Sequence, residues 1–405
     1  MTPYPYRKAP LVGALALTAL AAAGVVSPGA AAAARAVGAG CTSSVPFVSG
    51  TDGYGVFRIP AVVQSPDGDV LAFAEGRSSG SDTGNIDIVL KRSEDGGCTW
   101  GSLQVVSDMG ANTIGNPAPV FDPHTGDVVL LSVRNSGDVH ESDILRGNAT
   151  PEQSRRVFVQ RSTDNGATFS EPREITSTTK RTNWRWYATT PGHAIALATG
   201  EHAGRLVVPA NHSAAPPAGS ADTGAEAKYY GGHSLYSDDH GQTWQIGFVE
   251  DNYNGYINSN ETTAAELPDG RVYFNTREHN GSAPGVRADG YSSDGGQTLD
   301  GSYRPQAALD GPVVQGSVLQ LDGKKSPLLF SGPRHPSSRA VMSIRASYDG
   351  GTTWTTTEDL SGLPAAYSDL VQLDKATVGI LYETGADYTY ATIEFRRLDV
   401  KAVSE

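Results

Sequence analysis

Arg58 stands between two large apolar neighbours in the tetrapeptide Phe57-Arg58-Ile59-Pro60. On a strand, an arginine set among apolar residues is costly to bury unless it is paired or binds an anion. Anion recognition is the chemistry this implies. Taken alone, the tetrapeptide reads first as an arginine that snorkels to solvent. Metal chemistry finds little support: the 9 histidines are scattered, H-E-x-x-H is missing, and no Cys/His pair has ligand spacing. Neither a metal nor another cofactor is expected. The G-x-S-x-G elbow of serine hydrolases is missing too. His193 and His233 each adjoin a glycine and have no visible partner.

Charge narrows the partners. The formal net charge is −13, and loss of Arg7, Lys8 and Arg35, with no acidic residue before Cys41, would make it −16. A chain this acidic is not expected to bind nucleic acid or an anionic membrane surface through its overall field. An anionic ligand would need a local cluster of arginines.

The elements that must position such a cluster are marked by a repeat. SEDGGCTW, STDNGATF, SDDHGQTW, SSDGGQTL and SYDGGTTW begin at Ser93, Ser162, Ser237, Ser292 and Ser347, and all fit S-x-D-x-G-x-T-[WFL]. Strand-like runs such as IDIVLKR, RVFVQR and AVMSIRA precede the octets. The central Asp and Gly supply an Asx-type turn and a positive φ, and the last aromatic can fold under the turn into the core of its own sheet. Each octet therefore reads as a hairpin turn rather than as chemistry. Long helical periodicity is almost absent, and a turn-marked hairpin repeated along one chain suggests radial blades. At roughly 60 residues a blade, the chain holds about six blades of an all-β propeller. The sixth, without an octet, would be completed by strands from both ends. Two polar loops, 135–153 and 212–228, are either part of a binding face or tolerated insertions.

The N-terminus reads as a leader. Arg7 and Lys8 precede an Ala/Leu-rich run and then small residues around Ala30–Ala34, the order of a secretory signal peptide. Residues 1–36 are assigned to it and 37–405 to a single domain, secreted, extracellular, monomeric and without a membrane span. Cys41 and Cys98 are the only cysteines. In an oxidising compartment they are candidates to pair; two free buried thiols are the alternative.

FRIPAVV, AFAEGR, TGNIDIVLKRSEDGGCTW and the remaining octets, in that order, resemble the bacterial exo-α-sialidases (neuraminidases) with Asp-box, or BNR, repeats. The resemblance runs from about Phe57 to Tyr382. It implies a six-bladed propeller that acts on sialylated glycans. It also implies three arginines on the substrate carboxylate: Arg58 from FRIP, Arg277 from FNTR and Arg339 ahead of the last octet, with Arg345 as competitor for the third. Arg77 in AEGR resembles an arginine near the sugar's C4. Asp82 fits the acid/base aspartate, with Asp87 as alternative. Tyr367 in LPAAYSDLVQL resembles the nucleophile, Glu261 its base, with Glu266 as second choice. Glu383 in ILYE fits the glutamate that orients Arg58. A tyrosine nucleophile is the sialidase exception among retaining glycosidases, which mostly use a carboxylate. Its physical reason is that the anomeric carbon already bears a carboxylate, which would repel a second anion.

Three neighbouring functions remain open at this level: specificity for the deaminated sugar Kdn, a trans-sialidase, and a non-catalytic Asp-box lectin. Residues 78–81 and the two insertions are the expected shapers of substrate choice. A trans-sialidase needs an aromatic acceptor platform, for which Trp184, Trp186, Tyr253 and Tyr256 are candidates.

Overall fold

The computed structural model describes residues 40–323 and 325–404. The chain divides into Met1–Arg35 and Ala36–Glu405, and every element below belongs to the second unit. The signal-peptide assignment lies outside the described residues.

Among the described residues, twenty-five strands form five sheets. The first has eight strands. Val56–Gln64, Val70–Arg77, Ile86–Ser93 and Gln104–Ser107 make one half; Thr113–Asp122, Asp127–Asn135, Arg156–Ser162 and Arg173–Glu174 make the other. A parallel pairing at Ile86 and Thr113 joins the halves. The second sheet contains Trp184–Thr189, Leu206–Ala214, Tyr230–Ser237 and Gln245–Asp251, with Ile195–Ala196 added to Leu206–Ala214. The third is Ser259–Glu266, Val272–Glu278, Arg287–Ser292 and Arg304–Pro305; the fourth is Ser317–Gln320, Leu328–Pro333, Met342–Ser347 and Thr355–Asp359. In the fifth, Ala365–Gln372, Thr377–Thr384 and Thr392–Asp399 are joined by Ser43–Val48 from the other end of the chain.

The fold is an all-β propeller. Its apolar cores lie between consecutive groups of strands, not within one sheet. Phe57, Val62 and Val70 pack with Leu381, Ile393 and Phe395, so the last sheet closes on the first. Leu71 and Phe73 meet Ile114 and Leu130 across the two halves of the long sheet. The expectation of six separate blades is only partly met: hydrogen bonding gives four sheets of blade size and one of eight strands, because the pairing at Ile86 fuses two groups.

The octets serve this inter-sheet packing. In the first, Asp95 accepts hydrogen bonds from the Thr99 N–H at 2.8 Å and the Thr99 hydroxyl at 2.7 Å, and Ser93 Oγ accepts from the Gly97 N–H at 2.7 Å. Asp164, Asp239, Asp294 and Asp349 repeat the contact to their threonines. A Cβ on Gly97, whose φ is 88°, would lie 2.0 Å from the Phe395 ring of the preceding sheet. The octet aromatics also reach across: Trp100 packs edge-on against Phe395, and Trp354 lies against Tyr273. The own-sheet packing expected of them is met in part, since Trp354 also meets Phe330 of its own sheet with ring centroids 6.1 Å apart. The preceding sheet leaves room for the turn only where the side chain is absent, so the repeat is a clasp between neighbours.

Candidate active site

The pocket is built by an irregularity that recurs on the first strand of successive groups. The pairing register shifts between Arg58 and Ala61, Gly115 and Ala118, Trp184 and Tyr187, Ser259 and Thr262, and Ala365 and Ser368. A bulge re-aims side chains out of the pleat. Within these five intervals lie Ile59, Asn116, Trp186, Asn260 with Glu261, and Tyr367, all of which line one cavity of about 240 Å³. Two of the bulges hold prolines, Pro60 and Pro117, which have no N–H to leave unpaired. Ile59 has φ 59°, rare for a β-branched residue, and its N–H is held at 2.9 Å by the Glu383 carboxylate.

Asp82, Glu261, Tyr367, Arg58, Arg77, Arg277 and Arg339 all line this cavity. Glu383, fully buried, receives Arg58 Nε at 2.7 Å and the backbone N–H of Tyr367 at 3.1 Å. The alternatives lie elsewhere. Asp87 accepts from the Tyr54 hydroxyl, Glu266 caps the N–H groups of Ala198 and Thr199, and Arg345 pairs with Asp310.

At the centre, the Tyr367 hydroxyl donates to Glu261 Oε1. Arg277 Nη1 donates to Glu261 Oε2 at 2.8 Å and to the Tyr367 hydroxyl at 3.4 Å. Burial raises the Tyr367 pKa, and the Glu261 charge adds to it, while Arg277 and Arg58 oppose. The phenol is therefore held neutral with its proton already directed at an acceptor. Arg58 lies 5.1 Å from the Tyr367 ring centroid and 4.0 Å from that of Tyr390; Arg339 donates to the Tyr390 hydroxyl at 2.8 Å. The Nε of Arg277 has no hydrogen-bond partner among the described residues.

On the other wall, Arg77 gives Nε and Nη2 to Glu75 Oε2 and Nη1 to Asp82 Oδ1 at 2.6 Å. The surrounding cavity walls push the pKa of the largely exposed Asp82 up, but the charge and hydrogen bond of Arg77, then Arg58 and Arg155, bring it below the ordinary carboxylate range. The sequence reading missed Glu75, Asn116, Glu141, Arg155, Asn211, Asn260 and His279, which line the cavity together with Trp186. The His279 pKa is lowered to about 4 by burial, then by Arg277, so its ring stands neutral. Of these, only Asn116, set before Pro117, carried a local signal.

The first insertion belongs to the wall, and the second is tied to it. Residues 135–153 supply Glu141, and their Val139, Ile144 and Leu145 pack with Trp186 and Tyr230. Arg185 Nη1 donates to the carbonyls of Leu145 and Thr223, tying the two insertions together. Trp184 is buried and stacked on His212 at 3.8 Å, and Trp186 is covered by Arg155 at 4.0 Å, so neither offers an open platform. Tyr253 and Tyr256 are exposed.

Cys41 and Cys98 form a disulfide with Cα atoms 5.7 Å apart. Among the described residues, no group of three His, Cys, Asp or Glu side chains could hold a metal ion, and no helix is long and apolar enough to cross a membrane.

Residues 68–380 match the BNR repeat-like domain family. The chain is 33% identical over 367 residues to a sialidase of Micromonospora viridifaciens, covering 85% of this chain and 52% of that protein. It is 31% identical over 315 residues to an exo-alpha-sialidase of Aspergillus fumigatus, covering 73% and 69%. Among solved structures, Hadza microbial sialidase Hz136 superimposes with a TM-score of 0.75 at 27% identity, covering 89% of this chain and 69% of that one. The chain thus spans about half the length of the Micromonospora relative.

Proposed function

The chain belongs to the sialidase family with BNR-like repeats, and from that premise we propose that it is an exo-α-sialidase that hydrolyses terminal α-linked sialic acids with retention. The hydrogen bond from Tyr367 to Glu261, in a pocket also walled by Arg58, Arg277 and Arg339, carries this reading. Three guanidiniums suit one carboxylate, since arginine stays charged and offers paired donors to two oxygens. With the carboxylate held, the anomeric carbon comes over the phenolic oxygen.

In the first displacement, Tyr367 Oη forms a bond to the anomeric carbon and its proton passes to Glu261. The glycosidic C–O bond breaks, its electron pair goes to the departing oxygen, and Asp82 protonates that oxygen. In the second, Asp82 takes a proton from water, whose oxygen attacks the same carbon. The tyrosyl bond breaks and the phenolate regains its proton from Glu261. Two inversions give net retention. Only side chains of the pocket take part, and the sole co-reactant is water.

We also read the eight-stranded sheet as two blades fused by one pairing, which makes a six-bladed propeller over residues 37–405. The apolar core between the two halves, of the same kind as the one between the last sheet and the first, supports the count. The disulfide supports an extracellular location. The reading is tested with matched fluorogenic aryl α-glycosides of N-acetylneuraminic acid and Kdn. Release from the first supports it; release from Kdn alone moves the substrate; no release from folded protein overturns it in favour of a lectin.

A further inference from the structure

A general acid must carry a proton when the glycosidic bond breaks, yet the structure sets Asp82 as an anion. Its side chain is 83% exposed and accepts from Arg77 at 2.6 Å. The charges around the pocket show where the proton can be held. Arg58 is paired with Glu383, Arg77 with Glu75, and Arg277 with Glu261. Arg339 is bonded to the Tyr390 hydroxyl and to no carboxylate among the described residues, which leaves it for the substrate carboxylate. Arg155, buried in the wall, forms no ion pair among the described residues; its Nη1 reaches Asn116 at 3.2 Å. Two carboxylates, Asp82 and Glu141, line the same cavity without a cation exclusively their own. Asp82 takes Nη1 of Arg77, a cation already shared with Glu75, and both carboxylates feel the charge of Arg155.

Glu141 is set there by the insertion at 135–153. His140 Nδ1 lies 3.1 Å from Thr83 Oγ1, next to Asp82 in the chain, and a Cβ on Gly137 would meet the carbonyls of Ala111 and Gly84 at 1.9 and 3.1 Å. The insertion is therefore pressed onto the Asp82 loop, and Glu141 makes no hydrogen bond that would commit it elsewhere among the described residues. The groups facing Asp82 are Glu75 and Arg77 from Val70–Arg77, Arg58 from Val56–Gln64, Arg155, and His140 and Glu141 from the insertion. Desolvation by the surrounding cavity raises the Glu141 pKa even though the residue is exposed at its rim; Arg155 opposes this, and Asp82 and Glu261 add to it.

We propose that Glu141 is a positioning residue for the proton of Asp82. Once substrate has displaced water from the cavity, two neighbouring carboxylates with one unpaired cation hold a proton between them. Asp82, on the loop that faces the departing oxygen, presents it. The substrate carboxylate, settling on Arg58, removes part of the charge that favoured the Asp82 anion. This rests on the sialidase reading above and adds to it the source of the acid's proton.

The test compares Glu141→Gln and Glu141→Asp with the unaltered full chain on sialyllactose, whose leaving oxygen needs a proton, and on an aryl α-sialoside with a nitrophenol leaving group, which needs none. For Glu141→Gln, the alkaline limb of kcat on sialyllactose, which reports the substrate complex, moves down by about one pH unit, lowering the rate on that limb about tenfold. The aryl substrate stays within about twofold, and Glu141→Asp keeps the limb in place. An unmoved limb, or equal losses on both substrates, overturns the proposal, since a packing role or a hydroxyl contact would act on both. Turnover of neither substrate by the unaltered chain would instead sink the sialidase reading on which it stands.

Discussion

The Tyr367 hydroxyl donates to the Glu261 carboxylate across 106 residues of sequence, and the same carboxylate receives Arg277 on its other oxygen. A phenol, its base and a cation thus meet in one buried cluster, contributed by a first and a second strand of one sheet and the first strand of another. Each member limits the others: removing the proton from Tyr367 costs least while Arg277 and Arg58 stand beside it.

Tyr367→Phe removes the attacking oxygen and leaves the ring. Turnover of sialyllactose should fall at least about a hundredfold with little change in thermal midpoint. Steady-state kinetics beside a melting curve check this, and near-normal turnover would remove Tyr367 as nucleophile. Proton NMR of the first-released sugar should show the α-anomer.

Glu383→Gln keeps the shape of the side chain but leaves Arg58 without its anion. Both groups are almost wholly buried. Breaking such a pair typically costs about 3 kcal/mol, read as a lower denaturant midpoint. Because Glu383 also holds the N–H groups of Ile59 and Tyr367, KM should rise and kcat should fall together.

Reduction of the Cys41–Cys98 disulfide releases a loop between residues 57 apart. By chain entropy the loss is about 4 kcal/mol. Ser43–Val48, which completes the last sheet, lies just beyond Cys41, so hydrogen exchange should quicken there first. A double Cys→Ser variant with an unchanged unfolding curve would contradict this.

His212 and His233 give stability a definite pH slope. Both are buried and have pKa values lowered, first by burial, with Arg181 also opposing protonation at each. Their folded forms resist protonation, while the unfolded chain takes up protons near 6.5. As pH falls below that value the unfolded state gains more protons, so stability falls, by about 1 kcal/mol per pH unit for each ring. The raised pKa of His193 beside Asp369 acts oppositely: its contribution is full below the unfolded value and fades as pH rises through the folded one. Urea unfolding at pH 7 and pH 5 should therefore show a lower midpoint at pH 5, with a smaller difference in His233→Gln.

The octets and the runs before them were legible because a hairpin turn is local: Ser, Asp, Gly and Thr bond within eight residues, so their spacing carries the structure. The arginines, Asp82, Tyr367 and Glu261 were legible through resemblance, because motif order survives without coordinates. Glu141, Arg155 and Asn211 were not. Each sits in a stretch that reads as polar loop or plain strand, and only the ring brings it to the cavity.

By itself the sequence determined the β character, the turn at each octet and the kinds of side chain at the reacting centre. Tertiary structure decided three things that no window of residues contains. Octet glycines face the preceding sheet and Trp100 and Trp354 reach it, because a packed surface lies between neighbours. Five bulges turn five first strands inward at one level, because each register is set by the strand paired beside it. Asp82 from a loop and Glu141 from the first turn of a short helix compete for charge in one cavity, because electrostatic energy follows distance in space and not separation along the chain.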